Sequence, residues 1–569
     1  MPHCKITERL ASSLVLSIAF GVMVGVSFAT VLSHITIYQS TRSLFMCDWA
    51  WASQMAEHLG GATDYLTSLV GALCQWVWLG ATVIGAMAAA VLYLLLRRRE
   101  LWWLALVPVF YLVSGYELTH FLDSLVGVLL VVVIFSAWRA VRGVWLRMAL
   151  MVVALVVGFI VSPSAFLVLV ILVVGDVLSD VRLALAMRLV GVALALVVVL
   201  SLQWLVGLVF VVNPSVVSST IFGGQKSHID FVFFALIALV VFLSYLPLPK
   251  SWVGCRLLTP VMCGVVTVVG AVILAVTFRP ELRMVMRAEQ ATDAQEWDKV
   301  LQITDQQAVN NPLVQYMRTV ALFRRGELVD KIFDTPQLFG PNVLFIPWQK
   351  GNSSLQIKLA DLAWINVGIV NEAMRLSFES MTGSGANRVN MAHLLHYNRL
   401  AGHRAMVSKL ERRLSRTLFY DSQKSIAGFT PNPVLRDGMD SVYTSTDNPT
   451  LSLHRALAVD STNRAAADYL ALIYLLSTDL DGFVSLVPRL KVLYGGHLPR
   501  VYQEALAFYR IMADADSSLV FENYAIDRSV HLRLEEFNRE ARDPENMSPE
   551  NKRSYWYYML KVMMQQKSR

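Results

Sequence analysis

The chain has 569 residues, of which 16% are charged and 55% hydrophobic, and its mean hydropathy is +0.51. A typical soluble domain is about 25% charged, so the chain is not soluble throughout. Apolar content this high excludes disorder, and five cysteines are too few for a disulfide scaffold. The net charge of +7 divides unevenly: residues 1–280 hold 15 basic and 10 acidic side chains, the remainder 34 and 32. Much of the basic excess lies in short loops between apolar runs, a pattern of membrane orientation and not of nucleic-acid binding.

In chain order, the first apolar run is Leu10–Ile35. Lys5 and Arg9 precede it, as in a signal peptide, but it exceeds the 7–15 residues of such a segment and no clear cleavage site follows. It reads as a retained transmembrane helix, since a span needs about 20 apolar residues. Further runs follow at Leu66–Leu96, Leu101–Val113, Leu118–Ala137, Val144–Val161, Ala165–Leu178, Leu189–Val212, Phe231–Leu246 and Leu257–Phe278. Ser114-Gly115-Tyr116 and Ser162-Pro163-Ser164 interrupt two longer stretches. Each interruption marks either a helical hairpin or a kink in one helix.

Charge separates the two. With nine spans, one face collects Lys5, Arg9, Arg97, Arg98, Arg99, Arg139, Arg142, Arg147, Arg182, Arg188, Lys250 and Arg256. The other collects Arg42, Lys226 and Arg279. Such asymmetry identifies the cytoplasmic side. The expectation is therefore nine spans over residues 1–280, a cytoplasmic N-terminus, and residues 281–569 outside the cytoplasm.

That second half has few strand signals. Trp297-Asp-Lys-Val-Leu301 opens a helix. Asn311-Pro312 starts another, with Leu313, Tyr316, Val320 and Phe323 on one stripe and Arg325-Gly326 at its end. Ala360, Ala363 and Trp364, then Leu376 and Met381, suggest a second pair. From Leu453 to Leu490, Ala466, Tyr469, Leu470 and Ala471 carry a helix–turn–helix rhythm with small residues at the helix contacts. This resembles the tetratricopeptide repeat, interrupted by a loop or linker at about residues 421–449. The expected fold is all-α: a polytopic transmembrane domain followed by a soluble, tetratricopeptide-like helical-repeat domain.

Three short segments also resemble an uncharacterised family of multi-spanning inner-membrane proteins from Bacteroidetes. They are Gly60-Gly61-Ala-Thr-Asp64-Tyr65-Leu66, Leu498-Pro-Arg-Val-Tyr-Gln-Glu504-Ala505 and Ser554-Tyr-Trp556-Tyr-Tyr558. The resemblance implies a Gram-negative inner membrane and a periplasmic C-terminal region. It implies no activity and no catalytic residues.

The chain holds no P-loop, His-Glu-x-x-His, Cys-x-x-Cys or Gly-x-Ser-x-Gly. Cofactors stay unassigned and no metal site is read. Of Cys4, Cys47, Cys74, Cys255 and Cys263, only Cys47 falls in an outer loop, so no disulfide framework is expected. Polar groups gather instead in three outer loops: Asp48, Glu57, His58 and Asp64; Glu117, His120 and Asp123; Lys226, His228 and Asp230. Most such residues simply meet water and head groups. Asp176, near the end of the sixth run, reads as reaching the cytoplasmic interface beside Asp180 and Arg182.

Two functional readings follow. One is a non-enzymatic membrane platform that presents its helical-repeat domain to a protein partner in the periplasm. The other is a membrane-embedded transferase using a lipid-linked sugar, because such enzymes share this layout with an acidic residue in the first outer loop. Under that reading Asp48 is the general base or the group facing the lipid phosphate, with Glu117 and Asp123 as helpers. Beyond these, the lipid bilayer is the expected partner and nucleic acid is not.

Overall fold

The computed structural model describes residues 2–42, 44–96, 121–179, 183–209, 268, 280–305, 310–347, 353–418, 442–445, 447–512 and 526–567. Among them every regular element is a helix, and the one β-contact is an isolated antiparallel bridge between Met46 and Thr417. The chain forms two compact units. One comprises Met1–Pro280 and Arg416–Phe419, the other Glu281–Ser415 and Tyr420–Arg569.

In the first unit, α1 (Pro2–Ala29) is followed by α2 (Ser33–Arg42), bent from it by 78°. Two short helices come next, α3 (Trp49–Ala56) and α4 (Gly61–Leu73), then α5 (Val77–Leu96). The apolar run from Leu66 to Leu96 is thus two helices, parted at Cys74–Trp76. Helix α5 lies antiparallel to α1, with small residues at the seam. A Cβ on Gly21 would sit 2.7 Å from that of Ala89, and one on Gly25 3.2 Å from the Ala81 carbonyl oxygen. A Cβ on Gly85 would strike the Gly21 carbonyl. Small-xxx-small spacing lets two apolar backbones approach where lipid supplies no hydrophobic drive.

Helices α6 (Phe121–Ala140), α7 (Val144–Val161), α8 (Phe166–Ser179) and α9 (Leu185–Val209) complete the described part of this unit. The Ser162-Pro163-Ser164 break is a reversal and not a kink: a 3₁₀ turn at Pro163–Ala165 joins α7 to α8. The Phe159 and Phe166 rings meet at 5.0 Å beside the turn, and Arg147 pairs with Asp176 at the far end. Proline removes a donor and blocks helix continuation, so the chain turns there. Helices α5, α6, α7 and α9 are long and apolar enough to cross a membrane, and the bent α1–α2 pair makes a fifth candidate. Helix α8 is apolar but shorter. Of the nine expected runs, Leu101–Val113, Phe231–Leu246 and, save Val268, Leu257–Phe278 lie outside the described residues.

The second unit is a succession of mostly short helices. They are α10 (Pro280–Asp293), α11 (Trp297–Asp305), α12 (Pro312–Arg324), α13 (Leu328–Lys331), α14 (Ser354–Leu359), α15 (Asp361–Asn366), α16 (Val370–Ser384), α17 (Arg388–Leu400) and α18 (Arg404–Leu414). After them come α19 (Pro449–Val459), α20 (Arg464–Leu476), α21 (Leu480–Leu493), α22 (Arg500–Met512), α23 (Arg528–Glu540) and α24 (Tyr555–Lys567). Local chemistry starts many of them. Asn311 caps α12 by accepting from the Leu313 and Val314 amides, with Pro312 at the first helical position. Asn463 and Asp479 cap α20 and α21 in the same way. Connections of three residues fold neighbouring helices back on one another, as in α16–α17 and α20–α21. The core holds Tyr316, Ala466, Tyr469, Ala471 and Tyr502, all fully buried. Tyr316 bridges two helices, donating to the Leu359 carbonyl at 2.8 Å and accepting from the Ala363 amide at 3.1 Å. Most of the 421–449 loop lies outside the described residues.

Candidate functional site

The first unit has two polar ends. At one, Asp48 is the N-cap of α3, its carboxylate accepting from the Ala50 amide at 3.1 Å. Arg416 donates to the other oxygen at 2.6 Å. Backbone bonds tie the Arg416 segment to the chain before α3: Cys47 N–H to the Arg416 carbonyl at 3.2 Å and Leu418 N–H to the Phe45 carbonyl at 3.0 Å. Beneath α3, Trp51 packs edge-on against Phe45, with ring centroids 5.4 Å apart. Asp48 lines a cavity of about 620 Å³ whose walls are otherwise mostly apolar, among them Met55, Ala56, Leu66 and Ile160.

The neighbouring polar groups have other partners. His58 Nε2 lies 2.9 Å from the Asp64 carboxylate, and Arg42 donates to Asp123 at 2.8 Å. Asp64 has a raised pKa: burial pushes it up, the His58 hydrogen bond opposes this, and the Asp123 charge pushes it up further. The structure therefore gathers His58, Asp64, Asp123 and Arg42 electrostatically, while Asp48 is held by a cap and Arg416. Glu117, His120, Lys226, His228 and Asp230 lie outside the described residues. Among the described residues no group of three or more His, Cys, Asp and Glu is arranged for a metal.

At the opposite end, Asp176 is 4% exposed and is shared by two arginines, Arg139 at 3.1 Å and Arg147. The Arg147 guanidinium lies 4.6 Å from the Trp138 ring centre, and the Trp138 indole N–H donates to the Arg147 carbonyl at 2.8 Å. Asp180 and Arg182, its neighbours in the sequence, lie outside the described residues. The observed partners come from α6 and α7. A buried carboxylate needs this compensation, because unpaired charge at low dielectric is costly.

The second unit contains a larger cavity of about 830 Å³. The starts of α20, α22 and α23 and the turns at Gly326 and Gly368 form its walls. Asp468, on α20, accepts from the Tyr494 hydroxyl at 2.8 Å and the Tyr502 hydroxyl at 2.9 Å. Arg464 lies one helical turn earlier, 3.6 Å from the same carboxylate, and its guanidinium stacks 3.9 Å above the Tyr494 ring. Burial raises the Asp468 pKa to about 6, against the pull of the two tyrosines and Arg464. Gln503 ties the wall together, donating to Asp527 at 3.0 Å and accepting from the Asp527 amide at 2.7 Å. Arg500, His497 and Asp330 also line the space. Sequence reasoning missed this cluster. Its one local signal was Arg464 and Asp468 at i,i+4; Tyr494, Tyr502 and Asp527 arrive from other helices.

Two further buried networks belong to the packing of this unit. The Asp361 carboxylate accepts from Ser377 at 2.5 Å and Tyr397 at 2.9 Å and meets His393 Nδ1 at 2.6 Å. Lys358 contacts Glu289 at 2.7 Å and Asp293 at 2.6 Å. Burial alone would lower the Lys358 pKa, but the two carboxylates more than reverse this.

A family model described as a family of unknown function (DUF6057) matches residues 9–561, and the chain belongs to that family. Comparison with curated proteins and with solved structures gives no match.

Proposed function

We propose that the protein is a multi-spanning inner-membrane platform whose C-terminal, tetratricopeptide-like unit captures a partner in the periplasm. The observation that carries this reading is the 830 Å³ cavity, which has both charged and aromatic walls. Its size suits a ligand or an inserted segment of a partner. The nine-span topology draws support from the helix order of the first unit. Alternating directions along α6, α7 and α8 keep Arg139 and Arg147 at one end and Arg42 and Asp123 at the other. Exposed tryptophans accompany both ends, Trp76 and Trp78 at the Arg42 end and Trp145 at the Arg147 end, as expected of membrane interfaces.

The test is a photo-reactive phenylalanine analogue placed at Ser529, on the cavity wall, in cells. The platform reading expects one defined adduct, lost when Ala465→Trp fills the cavity and rebuilt from the purified components. No adduct above that obtained at Met406, which is exposed and does not line the cavity, sinks it.

A second reading, a lipid-linked sugar transferase, is favoured by one observation: Asp48 borders an apolar-walled cavity beside the end of α7. The Asp48→Asn change keeps the capping capacity and removes the charge. Under the transferase reading, protein levels hold and the envelope glycan profile changes. A wild-type profile at wild-type abundance removes Asp48 from consideration.

A further inference from the structure

The cavity of the second unit also constrains the chemistry of what enters it. Two of its side chains are guanidinium groups backed by buried acids. Arg464 is backed by Asp468 at 3.6 Å and Arg500 by the fully buried Glu504 at 3.4 Å. Stacking on Tyr494 fixes the plane of Arg464. Both remain accessible, with side-chain exposures of 57% and 40%. A guanidinium held in plane and partly desolvated is suited to the two oxygens of a carboxylate.

The same cavity is lined by Asp330 and Asp527. Asp527 is positioned by Gln503 from both its side chain and its amide, and it keeps 45% of its side-chain surface exposed. A wholly anionic ligand would meet these carboxylates, and a wholly cationic one would meet Arg464 and Arg500. A molecule with a carboxylate at one end and an ammonium at the other satisfies both sets. The volume of about 830 Å³ is near the upper end of small-ligand sites, roughly 300–1,000 Å³, and suits several linked residues. We propose that this cavity binds a short peptide with free ends, its terminal carboxylate on Arg464 and its ammonium on Asp527. The inference rests on the platform reading and names the ligand class that reading left open.

The experiment is calorimetric titration of the full chain in detergent micelles with tetra-alanine as the probe. Three controls accompany it: the carboxy-terminal amide, the N-acetyl form and inorganic phosphate. Saturable binding of the free peptide is expected, weakened at least ten-fold by either blocked end, with phosphate unable to compete. Arg464→Gln should weaken the free peptide about ten-fold and leave the amide unaffected. If that variant fails to fold, the blocked peptides on the wild-type chain decide without any variant. Absence of saturable binding, equal binding of the amide, or equal competition by phosphate overturns the proposal. A Ser529 adduct that persists when tetra-alanine does not bind refutes the peptide inference alone; loss of both refutes the platform reading as well.

Discussion

Asp468 shows how burial and partners divide the control of one group. Its carboxyl titrates near 6 in the folded chain against an ordinary value of 3.8. The folded state therefore holds a proton that the unfolded state releases, so stability falls as pH rises from about 4 to about 6. Two pKa units correspond to roughly 3 kcal/mol at most. Replacing Asp468 with Asn removes this titration while leaving acceptors for Tyr494 and Tyr502. Thermal melts of the two proteins across pH 4–7 should show the wild type losing ground relative to Asp468→Asn as pH rises, with the gap constant above about pH 7. A gap independent of pH contradicts the assignment. Ala466, two residues earlier, is fully buried, and Ala466→Leu should cost about 1–3 kcal/mol by overpacking, read as a lower unfolding midpoint in denaturant. The sequence made Ala466 legible as a helix contact because small residues recur around it at helical spacing. Asp468 stayed illegible because its tyrosines lie 26 and 34 residues away in the chain.

Among the helices, the α1–α5 seam is the most exacting. Gly21, Gly25 and Gly85 stand where any side chain would meet the opposing backbone. Gly85→Val should therefore separate the helices and lower the melting temperature of the detergent-solubilised protein, at a cost of 1–3 kcal/mol or roughly that order. Gly383 in α16 is the contrasting case. A Cβ there meets nothing within 4 Å, so Gly383→Ala should be neutral or stabilise by up to about 1 kcal/mol through helix propensity. A Gly85→Val protein that melts like the wild type would refute the close seam. The sequence showed that α1 and α5 are apolar helices. It could not show which faces meet, because apolar side chains surround both helices and no polar stripe marks the outside. At the Ser162-Pro163-Ser164 break the local residues allow hairpin or kink, and only the charges of the loops favour the hairpin. The Phe159–Phe166 contact and the Arg147–Asp176 pair, formed only in the folded bundle, decide for the hairpin.

For the whole molecule, the charge asymmetry of the loops makes a topological prediction. A reporter enzyme active only in the periplasm, fused after Arg569, should be active, and a cytoplasm-only reporter at the same point silent. The reverse result rejects the proposed orientation. The sequence by itself determined the helical character of the chain and the apolar character of its first half. Both follow from local composition and periodicity, which need no knowledge of distant residues. Tertiary structure decided the rest. The chain returns at Arg416–Phe419 to set Arg416 against Asp48, 368 residues away. Arg139 and Arg147 converge on Asp176, and Arg464, Asp468, Tyr494 and Asp527 come to line one cavity. Such pairings are fixed by which helix ends meet in space. Coulomb and hydrogen-bond forces act over a few ångströms there, whatever the separation along the chain.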